Sequence, residues 1–369
     1  MHLDNNHQAF FALLRAGLWE QGVRLQPYGN IDFQALYDLA DEQSVVGLIA
    51  AGLEHVEDRK VVKAEALPFL KKVYALEQRN KSMDAFIGSM VEKMRTAGIR
   101  TLLVKGQGIA QCYARPQWRS SGDVDFFLDA ENYEKAKALL TQMAVSVEQE
   151  DENRLHLGMT IDSWVVELHG TMHTDISPRM DRGIDAVQAD IFSNGAVRIW
   201  QDGEVEVPLP SPVNDAIIVF THFLKHFYVG GIGLRQICDW CRLLWIYRTE
   251  IDRNLLEQRL DGMGVMTEWK AFASFAVDYL GMSAEAMPFY SPSAWMSRKA
   301  RRLCGVVLDT GNFGHNKDNS YRSRYPKIVG NCITFFRRLG EFVRLSTIFP
   351  GNALKFFVIY VCGRVKATV

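Results

Sequence analysis

Apolar residues recur at three- and four-residue intervals through Gln8 to Gln21, Asp32 to Gln43 and Val45 to Val56, which predicts three short amphipathic helices at the start of the chain. The same period runs from Val62 to Ala97 across Pro68. Proline suits the first turn of a helix and disfavours its interior, so Pro68 is expected to start this longer helix. Between Thr101 and Val207 the pattern changes to alternation, the signature of half-buried strands, with one helical stretch at 130–143. Ser177 to Val187 follows neither period and reads as a loop or short helix. From Ser211 the helical period returns, broken at Gly230-Gly231-Ile232-Gly233 and across 311–320. No internal repeat or low-complexity tract is present. The expected fold is α+β: an N-terminal helical region (1–97), an α/β core with a mixed sheet (98–209), a helical domain (210–320) and a helical tail (321–369).

Composition narrows the class. A chain of 369 residues with 48% hydrophobic residues can bury a large core and is long enough for two or three domains. A formal net charge of −1 provides no global field to draw it onto nucleic acid. The six cysteines (112, 238, 241, 304, 332 and 362) lie in apolar or helical surroundings without a disulfide framework, as in a reducing compartment. Cys238 and Cys241 have redox spacing but no thioredoxin-like context and no second pair to complete a zinc site, so they are expected as buried helix cysteines. The first residues lack a basic segment followed by an apolar one, and no run of eighteen apolar residues occurs. These features predict a cytoplasmic protein without a transmembrane segment.

The chemistry concentrates in three short segments: Lys105-Gly106-Gln107-Gly108, Arg119-Ser120-Ser121-Gly122-Asp123-Val124-Asp125, and Val165-Val166-Glu167-Leu168-His169. Side chains alternate along a strand, so Asp123 and Asp125 point to one face and Val124 and Phe126 to the other. Two like charges so close resist joint ionisation unless a cation lies between them. Replacing both by Asn is therefore expected to leave stability unchanged or improved. Mg²⁺ takes one or two carboxylates together with substrate phosphates, and a Gly turn after the Thr101–Val104 strand suits phosphates. Glu167, in another alternating segment, is positioned to supply a third ligand from a neighbouring strand.

From about Arg100 to His169 the order of strand, Gly turn, helix, Asp-x-Asp strand and later acidic strand resembles the nucleotidyltransferase superfamily of the DNA polymerase β type. More narrowly it resembles a bacterial branch with Lys-Gly in the turn, Arg-x-Ser-Gly-Asp-x-Asp on the metal strand and an acidic-Leu-His third element. Looser likeness extends to Leu234–Asp239 and Asp309–Gly314. Members of that branch often lie among surface-polysaccharide genes. The resemblance implies Mg²⁺ or Mn²⁺ on Asp123, Asp125 and Glu167, and a nucleoside triphosphate bound by Lys105, Gly106, Gln107, Arg119, Ser120 and Ser121. It also implies transfer of a nucleoside monophosphate to a hydroxyl. One departure is Gln107 in the turn where Ser is usual, so Gln107 or backbone N–H groups at the helix start are expected to replace the hydroxyl. Two other classes stay open: a non-catalytic nucleotide-binding or interaction module, and a nucleic-acid end-modifying transferase, against which the near-neutral charge and absent RNA-binding motif speak.

Arg119 is suited to clamping triphosphate oxygens bidentately, and Lys105 to neutralising them as a point charge. His169, on the strand face of Glu167, is a candidate to orient a carboxylate or touch the acceptor. His222 and His226 share a helix face, but the Glu of a zinc-protease motif and a third ligand are missing, which favours packing or acceptor contact. Arg235 and Asp239 either pair with each other or reach the cleft. From Tyr321 onward nine basic residues face one acid, Glu341, with aromatics interleaved. Such a tail either lies on an anionic membrane surface or lipid-linked saccharide at the inner membrane face, or packs its aromatics on the helical domain.

Overall fold

The computed structural model describes residues 3–314, 324 and 326–366. Three helices open the chain, α1 (Asn5–Trp19), α2 (Phe33–Glu42) and α3 (Val46–Glu54). The Asp4 and Asp32 carboxylates cap the first two by accepting from N–H groups of the first turn. The long α4 (Lys63–Thr96) begins five residues before Pro68. The proline does not start it. Glu65 does, by accepting from the Val62 N–H at 3.0 Å, and Pro68 lies in the second turn, where one helical hydrogen bond is forgone.

A five-stranded mixed sheet follows, built from β1 (Leu102–Val104), β2 (Val124–Phe127), β3 (Ser146–Val147), β4 (His156–Ile161) and β5 (Trp164–His169) in the order β1-β2-β5-β4-β3. Only β2 and β5 run parallel; the other neighbours are antiparallel. The short α5 (Gly106–Ala110) leaves β1, and α6 (Ala130–Leu140) leaves β2 with Asp129 as its cap. Ser177 to Val187 belongs to a full helix, α7 (Pro178–Phe192), rather than a loop. Ser177 accepts from Met180 N and Pro178 occupies the first turn, a start signal that outweighs the irregular apolar spacing. A separate hairpin, β6 (Val197–Asp202) and β7 (Val205–Pro210), then leads into α8 (Pro212–Val229), α9 (Leu234–Ile246), α10 (Arg253–Met263), α11 (Met266–Leu280) and α12 (Ala294–Thr310).

Two cores position the sheet. In the smaller, Val124, Phe126, Val166 and Leu168 pack against Met83, Ile87 and Met90 of α4 and Tyr133 and Leu140 of α6. Each such side chain contributes about 1.5–3 kcal/mol by leaving water. The larger core joins α1 to α3 with α8 to α12 around Phe220, Phe223, Trp240, Trp269 and Phe272. Trp19 fastens its two ends by donating to Leu280 O at 2.6 Å. Cys112, Cys238, Cys241 and Cys304 are free and buried, as their apolar or helical surroundings predict.

The tail forms α13 (Lys327–Ser346) and α14 (Pro350–Lys366). Leu345, Ile348, Phe349 and Ala353 are buried, with Phe349 against Phe227 and Phe272. Phe335, Phe336 and Val343 stay exposed, Phe336 at 69%. Arg322 lies outside the described residues, as do the side chains of Arg364 and Lys366. No helix among the described residues is long and apolar enough to cross a membrane.

Candidate active site

The Gly turn is set by backbone geometry. Lys105 has φ +58°, a conformation that costs a non-glycine residue strain, and Gly106 follows at φ +41°. A Cβ on Gly108 would lie 2.8 Å from Leu209 Cδ2 of β7, so this second glycine permits the hairpin to close on the turn. The twist at Lys105 returns its ammonium to β2, where Nζ donates to Asp125 Oδ1 at 2.7 Å.

Register decides which acids meet. Asp125 on β2 pairs directly with Glu167 on the parallel β5, so both carboxylates leave the same sheet face. Asp123, just before β2, completes the group: one oxygen from each of the three lies within 4.8 Å of the others. This all-oxygen set fits a hard divalent cation such as Mg²⁺. Asp123 is exposed, and the Asp125 carboxylate lifts its pKa. Asp125 is buried, which by itself would raise its pKa, but Lys105 and His169 outweigh burial and hold it below the usual range. Burial likewise opposes the Lys105 charge, yet Asp125, Asp123 and Glu167 prevail and raise it.

His169 Nε2 lies 2.8 Å from Asp125 Oδ1 and 3.3 Å from Glu167 Oε2. Burial disfavours its charge, but these two carboxylates raise its pKa. His156, which has no place in the motif, reaches Glu167 Oε2 at 3.2 Å and, with His169, holds that carboxyl far below its ordinary pKa. The turn between β4 and β5 carries the signal that finds it. Asp162 and Ser163 form a two-residue connection that pairs Ile161 with Trp164, and counting back along both strands places His156 opposite His169.

The remaining candidates divide between the cleft and the interior. Gln107 is buried and donates to Asp84 Oδ1 at 2.6 Å, so its side chain is turned into α4 and only backbone N–H groups of the turn remain to replace the usual hydroxyl. Arg119 donates through Nε and Nη2 to both Asp239 oxygens at 2.8 and 2.7 Å and through Nη1 to Ser120 O. Its guanidinium is thus tied to Asp239 rather than free, although Arg119, Arg235 and Asp239 line a second pocket together with Lys105, Asp123 and Asp125. Tyr113 donates to the same Asp239 at 2.8 Å, and Arg235 reaches Ser120 O at 2.8 Å. Ser121 donates to Asn80, which also holds the carbonyls of Gln117 and Arg119, so α4 fixes the loop ahead of the acids.

A cleft of about 390 Å³ opens over the sheet face between β5 and α8, lined in part by Lys105, Asp123, Arg154, Glu167 and Lys225. His222 and His226 also line it, with their Nε2 atoms 3.1 Å apart. Burial, reinforced by Lys105 and Lys225, pushes His226 down to about 4, so it is a neutral base at pH 7. Burial also pushes Lys225 down to about 8, aided by Arg154 and Lys105. Carboxylates with Lys105, His156 and His169 on the sheet wall, and His222, Lys225 and His226 on the α8 wall, suit a metal-bound polyphosphate.

No curated protein and no solved structure matches the chain. The family model described as "Uncharacterised nucleotidyltransferase" matches residues 29–281, more than half of the sequence, and the chain belongs to that family.

Proposed function

We propose that the protein moves a nucleoside monophosphate from a nucleoside triphosphate to a hydroxyl acceptor, with Mg²⁺ or Mn²⁺ on Asp123, Asp125 and Glu167. The observation that carries this is the direct pairing of Asp125 with Glu167 across β2 and β5, beside the strained turn at Lys105. When bound, the metal offsets phosphate charge and acidifies the acceptor hydroxyl. Lys105 adds a fixed positive charge where negative charge develops. The acceptor oxygen bonds to the α-phosphorus as the bond to pyrophosphate breaks. The His222 and His226 imidazoles, which line the cleft with Nε2 atoms 3.1 Å apart, are the candidates to take the hydroxyl proton. With Arg119 committed to Asp239, Lys225 and the turn's backbone N–H groups supply the remaining phosphate contacts.

The acceptor is proposed to sit on an anionic surface, as a lipid-linked saccharide of surface-polysaccharide synthesis does. Support comes from α13, where Phe336 and Val343 are exposed seven residues apart, each followed by an exposed arginine. The acids and the tail would then act at the inner face of the membrane.

A second function, nucleotide binding without transfer, is favoured by one observation: the Gln107 amide and the Arg119 guanidinium are both held by protein carboxylates. Incubation with each labelled nucleoside triphosphate, Mg²⁺ and a panel of sugar, lipid-linked and protein hydroxyls separates the two. Pyrophosphate release that requires Mg²⁺ and disappears in Asp123→Asn supports transfer. Tight Mg²⁺-dependent triphosphate binding with no pyrophosphate from any acceptor supports the module.

A further inference from the structure

We propose that His156, His169 and Glu167 form a binding site for a first-row transition-metal dication of the Zn²⁺ type, beside the all-oxygen site and sharing only Glu167 with it. One ligand atom from each of the three lies within 4.8 Å of the other two. The geometry begins in the strand register. His156 and His169 are direct partners across β4 and β5, so their rings leave the same face, with centroids 4.8 Å apart. Glu167 lies two residues before His169, on that face as well, and its own cross-strand partner is Gly158, over which the Glu148 carboxylate lies.

The distances match a coordination shell. Glu167 Oε2 lies 3.2 Å from His156 Nε2 and 3.3 Å from His169 Nε2. Bonds of about 2.0–2.2 Å to imidazole nitrogen and carboxylate oxygen place neighbouring ligand atoms about 3.0–3.5 Å apart in tetrahedral or octahedral shells. Hydrogen bonding accounts for the cluster less completely. A ring nitrogen carries at most one proton, yet His169 Nε2 faces both Asp125 Oδ1, at 2.8 Å, and Glu167 Oε2. A dication at the shared point satisfies both imidazoles and the carboxylate together.

Donor chemistry selects the ion. Mg²⁺ prefers oxygen, whereas imidazole suits Zn²⁺, Co²⁺ and Fe²⁺. Three protein ligands with the remaining positions open to a cleft are the arrangement of catalytic rather than structural zinc. Five of the nine histidines in the chain line this one cleft, a concentration that helix and strand packing does not require. The site exists whether or not nucleotides are transferred.

The test is cobalt titration of the full-length, metal-stripped protein, followed by visible absorption and calorimetry. One Co²⁺ per chain should give ligand-field bands of an imidazole-containing site, displaced by stoichiometric Zn²⁺ and not by a large excess of Mg²⁺. His156→Ala and His156→Gln should each weaken Co²⁺ binding by more than about tenfold, since even an outer partner of a metal-bound imidazole is worth about 10–100-fold. Two variants at His156 guard against misfolding, which the metal-free melting curve reports directly. Equal Co²⁺ affinity in wild type and both His156 variants, or displacement by Mg²⁺, overturns the proposal. Because no nucleotide is present, that result leaves transfer standing, and absent transfer with intact Co²⁺ bands leaves this site standing.

Discussion

Asp123 and Asp125 are one residue apart from being neighbours, yet their replacement should have opposite effects on stability. Sequence spacing treats them alike, as two charges whose removal is harmless. The structure separates them: Asp125 is 3% exposed and accepts from Lys105 and His169, while Asp123 lies in the open with its pKa raised by Asp125. Asp125→Asn leaves a largely buried ammonium without its carboxylate, and breaking a buried pair in this way costs about 3–5 kcal/mol. Unfolding entropy of about 2.1 cal/mol/K per residue gives about 0.8 kcal/mol/K over 369 residues, so the melting temperature should fall by about 4–6 °C. The fall is larger if the α/β core melts by itself. Asp123→Asn removes repulsion and should melt within about 1 °C of wild type or above it. Scanning calorimetry in chelator at pH 7 reads both numbers. Equal shifts for the two variants, or a larger fall for Asp123→Asn, would refute the assignment of Asp125 as the buried, paired member.

Asp239→Asn should destabilise the protein by about 3–5 kcal/mol in urea unfolding, because the Arg119 charge remains buried without its partner; a loss below about 1 kcal/mol would mean that Arg119 finds another acceptor. His226 is pushed down to about 4 from 6.5 by burial, so below pH 6.5 the unfolded chain gains a proton that the folded protein refuses. Its contribution is complete above pH 6.5 and lost as pH falls toward 4, by up to about 3 kcal/mol less solvent screening, and His226→Gln should flatten that slope in a pH series of melting temperatures. Binding of a triphosphate analogue at pH 8 should draw a proton onto Lys225, because the phosphates restore the charge that burial and the Arg154 and Lys105 cations suppress. Calorimetry in two buffers of different ionisation enthalpy measures this uptake, and Lys225→Met should abolish it. On the tail, Phe336→Ser with Val343→Ser should reduce binding to acidic liposomes at low salt without lowering the melting temperature, since both side chains are exposed. Identical binding to neutral and acidic liposomes by the wild type would make the tail a helical cover only.

What the sequence makes legible is periodicity, and what it conceals is partnership. Alternation in Asp-Val-Asp-Phe-Phe and Val-Val-Glu-Leu-His places the acids on one face of each strand, and that much holds in β2 and β5. The pairing of those strands depends on a parallel connection through α6, β3 and β4, which no local pattern specifies. Antiparallel register is easier, because a two-residue turn fixes it, and His156 was legible by counting from Asp162 and Ser163. Arg119 shows the opposite limit. Its loop reads as a phosphate clamp, but its partner Asp239 lies 120 residues later on α9 and is placed by the larger core. Gln107 is similar: its amide is taken by Asp84 on α4, a helix whose apolar period predicts the packing but not the buried acid within it.

These two internal commitments change how the cleft must handle phosphate. A free arginine beside the acids would offer a rigid bidentate clamp, whereas Lys105 and Lys225 offer point charges on flexible stems. Lys105 is the less mobile of the two, because the backbone twist that aims it also ties its ammonium to Asp125. Neutralising a triphosphate at this site would therefore draw on groups already balanced against carboxylates, and a metal held by Asp125 would leave the Lys105 charge for the phosphates. Metal and nucleotide should accordingly bind with positive coupling, each raising the affinity of the other by the same factor, as linkage requires. Lys105→Met should remove much of that coupling while leaving the carboxylates in place, since a neutral side chain has no charge to transfer from one partner to the other.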